Sequence, residues 1–315
     1  MIEHSAVWLR NTVKKYAGRV VTRIDVDGEW QTQTYAQFGK RVDSVAQGLI
    51  DHGIEPGDRI GLFAGNQPAW SEVDFGAATA RVVPVPLYAT STPEQIAYIA
   101  ADSGLRIMFV GNQSECERVL QVRDGLDDLE LIVIFHPYPE LPDGVIPYSD
   151  FLAEPKAADI DARLAGADGE DLASIIYTSG TTGDPKGVMI RHAALISQGV
   201  GLDQFFDITE KDQNLCFLPL SHALERGWTN IVLLRGCMNS QGEAEPHGQR
   251  PQTIRASAGR CHREGLGIAG QETHLRLGAR RRQTHAPSQP GRPVAVAWAA
   301  AATPNRRQTG ARQHP

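Results

Sequence analysis

Nothing in this 315-residue sequence approaches the ~18 consecutive apolar residues of a membrane-spanning helix. Its start, MIEHSAVWLRNTVKK, carries Glu3, Arg10, Lys14 and Lys15 where a signal peptide would be apolar. Both absences predict a cytoplasmic protein with at most peripheral membrane contact. Cysteine is scarce: Cys116, Cys216, Cys237 and Cys261 form no CxxC pair and no zinc-type spacing. Packed, reduced thiols are therefore expected, not a disulfide framework or a structural metal. Other residues run out part-way. The last tyrosine is Tyr177, the last lysine Lys211, the last aspartate Asp212 and the last phenylalanine Phe217. Beyond Asn239 the only aromatic residue is Trp298.

The charge balance breaks at the same place. Residues 1–239 hold 19 Lys or Arg against 33 Asp or Glu, whereas residues 240–315 hold 12 Arg against 4 Glu. Ala, Gly, Arg, Pro, Gln and His dominate this last stretch, and no apolar period lasts two helical turns. Such a composition buries too little surface to offset ~1–2 kcal/mol of backbone ordering per residue. Residues 240–315 are thus expected to be a disordered tail, read out of frame from a GC-rich coding sequence. Its arginines lack interleaved aromatics and any recognised motif, so nucleic acid is not expected as a partner.

What is present in residues 1–239 reads as alternating helices and strands. Thr34 is a good N-cap for a helix from Tyr35, with Phe38, Val42, Val45, Ala46 and Leu49 on one stripe until Gly53. Strands are expected at Arg59–Phe63, Val82–Leu87, Arg106–Val110 and Leu131–Phe135, with helices between them. Pro84 and Pro86 argue for an edge position. The order βαβαβ predicts an α/β fold with mostly parallel sheets flanked by helices. The stretches 137–143 and 154–161 read as polar loops before a second unit opening with the strand Leu172–Tyr177.

That strand delivers the chain into YTSGTTGDPKGV, Tyr177 to Val188. Gly180, Gly183 and Gly187 allow the backbone to bend and approach a ligand. Thr178, Ser179, Thr181 and Thr182 offer hydroxyls beside backbone N–H groups, and Lys186 adds a cation. Many donors, little bulk and one positive charge suit a polyphosphate. A flexible Gly/Thr loop with a surface lysine is the bland alternative, against about ten consecutive agreeing positions. The spacing is not that of a Walker A loop: the sixth position from Gly180 is Pro185, and Lys186 precedes Gly187. No GxGxxG fingerprint is present.

The loop resembles the signature of the acyl-adenylate-forming (AMP-binding) superfamily. GDRIGLFAGNQPAWSEVDFGAATARVVPVPLYATSTPEQIAYIAADSG, residues 57–104, is similar to that family's amino-terminal subdomain, in its long-chain acyl-CoA ligase branch. The resemblance covers roughly residues 5–239. It implies an incomplete amino-terminal domain of an ATP-dependent, AMP-forming fatty acid–CoA ligase, with ATP, Mg²⁺, a fatty acid and CoA as its ligands. Thr178, Ser179, Gly180, Thr181, Thr182, Gly183 and Lys186 would hold the β- and γ-phosphates. In LCFLPLSHALERGW, His222 would face the acyl and CoA side, against a bland reading as a structural histidine. Trp228 would line an acyl tunnel or pack in the core. Glu225 and Arg226 read as a local pair or as a solvated helix start, and His192 as a surface residue on the helix leaving the loop. The family's adenine- and magnesium-binding segment, of the form YGxTE, is absent, and so is any lysine after Lys211. The resemblance therefore implies no complete catalytic set and no metal ligands in these residues, and a chain inactive alone. A non-catalytic nucleotide- or acyl-binding module, or another adenylate-forming activity, stays open beside it.

Overall fold

The computed structural model describes residues 4–26, 29–178 and 184–241. Of the disordered tail expected from residue 240, Ser240 and Gln241 are instead buried members of a paired strand, and the rest lies outside these residues, as do Ser179, Gly180, Thr181, Thr182 and Gly183.

The chain opens with α1 (Ser5–Tyr16) and an antiparallel hairpin, β1 (Val20–Val26) and β2 (Glu29–Thr34), which carry no strong sequence signal. α2 (Tyr35–Asp51) starts at Thr34 in a capping box: Thr34 Oγ1 accepts from Gln37 N–H at 3.3 Å, and Gln37 Oε1 accepts from Thr34 N–H at 2.8 Å. Next come β3 (Arg59–Phe63), α3 (Pro68–Ala80), β4 (Val83–Leu87), α4 (Pro93–Ser103), β5 (Leu105–Val110), α5 (Gln113–Leu120) and β6 (Leu131–Ile134). This is the expected βαβαβ order. α4 and α5 also begin in capping boxes, at Thr92 and Asn112, and Gly104, at φ 62°, ends α4 in the left-handed region. β7 (Val145–Pro147) completes a five-stranded parallel sheet, ordered β4-β3-β5-β6-β7.

The stretch 154–161 differs from expectation. After α6 (Tyr148–Phe151), helix α7 (Ala157–Ala165) begins inside it. α7 buries only Ile160, too little to show as a periodic stripe, and is tied down by Gln47 of α2, which donates to Asp159 at 3.1 Å and accepts from Lys156 N–H at 3.0 Å.

β8 (Leu172–Thr178) and β9 (Lys186–Arg191) form an antiparallel hairpin, followed by α8 (His192–Phe206), β10 (Gln213–Cys216), α9 (Ala223–Leu234) and β11 (Met238–Gln241). β11 inserts between β10 and β1, parallel to both, giving the sheet order β10-β11-β1-β2. Pro84 and Pro86 do place β4 at a sheet edge. They offer no N–H to β8, which lies beside β4 and reaches it through a side chain, Ser174 Oγ donating to Pro84 O at 2.8 Å.

The five-stranded sheet is packed on both faces. Val45, Leu49, Trp70, Val73, Phe109 and Phe151 fill the side under α2 and α3. Val85, Ile96, Val110, Ile132 and Tyr177 fill the other. α2 and α3 approach closely at Gly76, where an added Cβ would sit 2.5 Å from Val45 Cγ1 and 3.2 Å from Val42 O. Gly76→Ala should overpack this contact and cost about 1–3 kcal/mol, read as a lowered urea midpoint. An unchanged midpoint would show that the helices can move apart freely.

Candidate functional site

The candidate site sits on the β8–β9 hairpin. Its ladder pairs Thr178 with Lys186, Tyr177 with Gly187, Ile176 with Val188 and Ser174 with Ile190. Thr178 and Lys186 therefore face each other at the mouth of the glycine-rich loop, where the last and first rungs meet. Lys186 opens a strand, so its backbone is fixed by the ladder while its side chain stays exposed.

Alternation splits the hairpin into two faces. Ile175 and Tyr177 belong to the core beneath α4. The Tyr177 hydroxyl donates to the Asp102 carboxylate of α4, and its ring meets Tyr98 edge-on at 6.4 Å. Burial, and then the Asp102 contact, hold the phenol well above its ordinary range, so it remains a neutral donor. Gly187 lies against this packing: a Cβ there would come within 2.8 Å of Ile175 Cγ2 and 3.1 Å of Tyr177 Cζ. Glycine at this position is thus required by the strand's seat.

The other face carries Ser174, Ile176 and Thr178, with Ile190, Val188 and Lys186 opposite them. Of these, Ser174, Ile176 and Ile190 line a cavity of about 210 Å³ closed by Leu195 of α8 and by Leu224, Arg226 and Gly227 of α9. An apolar cavity and the mouth of the loop thus share one surface, with Thr178 two residues, ~7 Å, beyond Ile176.

Glu225 and Arg226 are neither the local pair nor the solvated helix start that the sequence suggests. Glu225 and Arg226 are buried, and the partner of Arg226 is Asp74 of α3. Arg226 Nε donates to Asp74 Oδ2 at 3.1 Å, a second nitrogen reaches Oδ1, and further N–H groups reach Ser174 Oγ and Ala173 O on β8. This clamp joins α3, α9 and the strand that enters the loop. α3, PAWSEVDFGAATA, holds two acidic residues, Glu72 and Asp74, among mostly apolar and small ones, and both are buried; such a carboxylate is the sequence sign of a paired charge.

His192 is corrected too. It is 2% exposed, accepts or donates at 3.0 Å with Ser5 Oγ, and lies against the buried His4 ring, with centroids 3.7 Å apart. His222 is exposed and caps α9, its Nδ1 accepting from Leu224 N–H at 3.2 Å. Trp228 is half-buried, donates from Nε1 to Asn214 Oδ1 at 2.9 Å, and meets Phe206 edge-on. Neither is among the described residues lining the cavity. Among the described residues no group of three His, Cys, Asp or Glu could hold a metal ion. No described helix is long and apolar enough to cross a membrane. The buried Cys116, Cys216 and Cys237 are free thiols, and burial pushes each upward in pKa.

The model of the family described as AMP-binding enzyme matches residues 9–254. The chain belongs to that family. Among curated proteins, long chain acyl-CoA synthetase 7, peroxisomal, from Arabidopsis thaliana is 31% identical over 220 residues, 67% of this chain and 31% of its own length. Long-chain-fatty-acid–CoA ligase FadD15 from Mycobacterium bovis is 31% identical over 204 residues, 64% of this chain and 34% of its own. A solved structure, a putative long-chain-fatty-acid CoA ligase from Rhodopseudomonas palustris, superposes with a TM-score of 0.65 at 20% identity, covering 75% of this chain and 56% of that one. The chain thus has the fold of the family's amino-terminal region and spans about a third of the length of these curated relatives.

Proposed function

We propose that these residues carry the phosphate grip and the acyl side of an ATP-dependent, AMP-forming fatty acid–CoA ligase. The observation that carries this reading is the shared surface of Thr178, Lys186 and the apolar cavity. In the reaction a fatty carboxylate attacks the α-phosphorus of ATP, pyrophosphate leaves, and CoA then displaces AMP from the acyl-adenylate. Lys186 and Thr178, with Ser179, Gly180, Thr181, Thr182 and Gly183, would neutralise and orient the departing β- and γ-phosphates. The cavity would hold the part of the acyl chain nearest the carboxylate and exclude water from it. Mg²⁺, when bound, would supply charge neutralisation on the phosphates. His222 and Trp228 flank this surface from α9, one as a cap and one as packing, and we assign neither a chemical step.

Pyrophosphate or ATP should bind, and Lys186→Ala should weaken binding about tenfold, roughly the ~1.5 kcal/mol of one hydrogen bond to a charged group. Titration calorimetry giving equal affinities for the two proteins would remove Lys186 from the site.

The YGxTE-like segment and any lysine beyond Lys211 are absent, which favours binding without turnover. Residues that act as a unit lose nearly all their rate when part of the unit is missing. With a fatty acid, ATP and Mg²⁺, pyrophosphate release should stay at background. Turnover near ~1 s⁻¹ would show that these residues suffice. We further propose that the change in composition near residue 240 marks a change of reading frame. The DNA beyond that codon, translated in the other two frames, should continue the family with a YGxTE-like segment. If neither frame does, the basic stretch is a genuine part of the protein.

A further inference from the structure

A second cleft, of about 640 Å³, lies beside the β1–β2 hairpin and shares no lining residue with the cavity on β8 and β9. Its volume is that of a small-molecule site, roughly 300–1,000 Å³. The ladder sets Thr22 opposite Gln33 and Ile24 opposite Gln31, so these four share one face of the hairpin and form the floor. α2 supplies a wall, with Gln37, Arg41 and Ser44 on one stripe. Glu72 of α3, 4% exposed, is the one buried charge in the lining. It is unlike the other buried carboxylate of α3, Asp74, which has the Arg226 guanidinium. Glu72 has neutral donors: Gln33 Nε2 donates to Oε1 at 2.6 Å, and the Tyr148 hydroxyl to Oε2 at 2.8 Å. Burial, and then Glu72 itself, hold the Tyr148 phenol well above its ordinary range, so it stays a donor. Among the described residues no cation forms an ion pair with Glu72. Buried carboxylates are as a rule paired. Water would fill the lone pairs that Gln33 and Tyr148 leave open, but it brings no counter-charge. The same cleft holds an unused cation. Arg41 is exposed on its wall without a carboxylate partner among the described residues, whereas the adjacent Lys40 is taken by Glu154 at 3.7 Å. Arg41 stands near enough to Tyr148 for its charge to act on that phenol, which places it on the Glu72 side of the cleft.

We propose that this cleft binds a small zwitterion, an aliphatic primary amine that also carries a carboxylate, with its ammonium on Glu72 and its carboxylate on Arg41. The ammonium brings three donors and the missing positive charge to Glu72. The planar fork of Arg41 suits a carboxylate. Ile24 and Leu152, in the same lining, offer apolar contact to the carbons between the two charges. A neutral or purely anionic ligand would leave Glu72 uncompensated, and a bare amine would leave Arg41 unused. Neither residue belongs to the phosphate grip, so this binding does not rest on the nucleotide site.

The test titrates glycine, 4-aminobutyrate and 6-aminohexanoate, which hold the two charges increasingly far apart, into the 315-residue chain at neutral pH in a calorimeter. One of the three is expected to bind with a Kd of about 1 mM or tighter. Arg41→Gln, at an exposed position that leaves the fold intact, and the isosteric Glu72→Gln should each weaken it about tenfold, by loss of a charge-assisted contact. The alkylamine and the alkanoate of the same chain length, each lacking the other charge, should also bind about tenfold more weakly. Lys186→Ala should leave the affinity unchanged, so failure here and failure of the phosphate site are told apart. A urea midpoint checks that each variant is folded; if Glu72→Gln is not, Arg41→Gln and the alkylamine comparison decide. A Kd weaker than about 1 mM for all three compounds overturns the proposal. So does binding that survives the substitutions, or an alkylamine that binds as tightly as its amino acid, which would make the cleft a simple cation site.

Discussion

Asp74→Ala is expected to destabilise the protein by about 3–5 kcal/mol, because it leaves a buried guanidinium without its counter-charge. The side chains of Arg226 and Asp74 are 6% and 3% exposed, so water cannot take over from the lost carboxylate. Ser174 Oγ and Ala173 O remain near the guanidinium, but these are neutral groups. Arg226→Met should be costly in its turn, since it leaves the buried Asp74 carboxylate with only the Asn230 amide beside it. The pair Asp74→Leu with Arg226→Met should recover most of the loss, as an apolar replacement of an ion pair often does. Urea unfolding of the four proteins closes the cycle, with a midpoint shift of roughly 1.5 M expected for Asp74→Ala. A cost below ~1 kcal/mol for that variant would mean that the contact opens to solvent. The same clamp holds Ser174 on the strand that enters the phosphate loop, so loosening it should also raise exchange along β8.

Which parts of this arrangement could be read beforehand depended on where the information lies. Thr34, Thr92 and Gly104 act within a few residues of themselves, so the ends of α2 and α4 were legible in the sequence. Pro84 and Pro86 remove donors wherever they stand, so the edge position of β4 was legible as well. The β8–β9 hairpin was only half legible. Ala173–Tyr177 is an apolar run, but KGVMIR gains its strand character from pairing with β8 across the loop. β1 and β11 pair across more than two hundred residues, and MNSQ has no β-branched residue to mark it as a strand. In the site, the loop residues announced themselves by spacing. Arg226 did not, because its meaning depends on Asp74 at a sequence separation of 152. His192 looked like a surface residue for the same reason: its neighbours, His4 and Ser5, come from the other end of the fold.

That histidine pair sets the acid limit of the fold. His4 Nδ1 accepts from Ala6 N–H at 3.3 Å and caps α1, and His192 meets Ser5 Oγ, so both rings are used in their neutral forms. Burial lowers the His4 pKa to about 4, with the attraction of Asp171 opposing it and Arg81 adding to it. Burial lowers His192 to about 2, with His4 next to it as the second cause and Arg226 contributing. Above pH 6.5 both imidazoles are neutral whether the chain is folded or not, and neither alters stability. As the pH falls below 6.5 the unfolded chain takes up protons that the folded one refuses, so stability is lost through this window down to the folded values. Each histidine should remove about 1.4 kcal/mol per pH unit, or about 2 kcal/mol between pH 6.5 and pH 5. Asp43, Glu115 and Glu225, whose carboxyls burial raises, act in the opposite direction, so the wild-type slope alone does not isolate the pair. The comparison with His192→Asn does. Asparagine can still bond Ser5 but cannot take a proton, and the variant should lose about 2 kcal/mol less than wild type over that interval in urea titrations at each pH. His4→Asn should behave alike, because asparagine is itself a good N-cap for α1. Parallel losses in wild type and both variants would mean that the two rings admit protons, and water, in the folded protein.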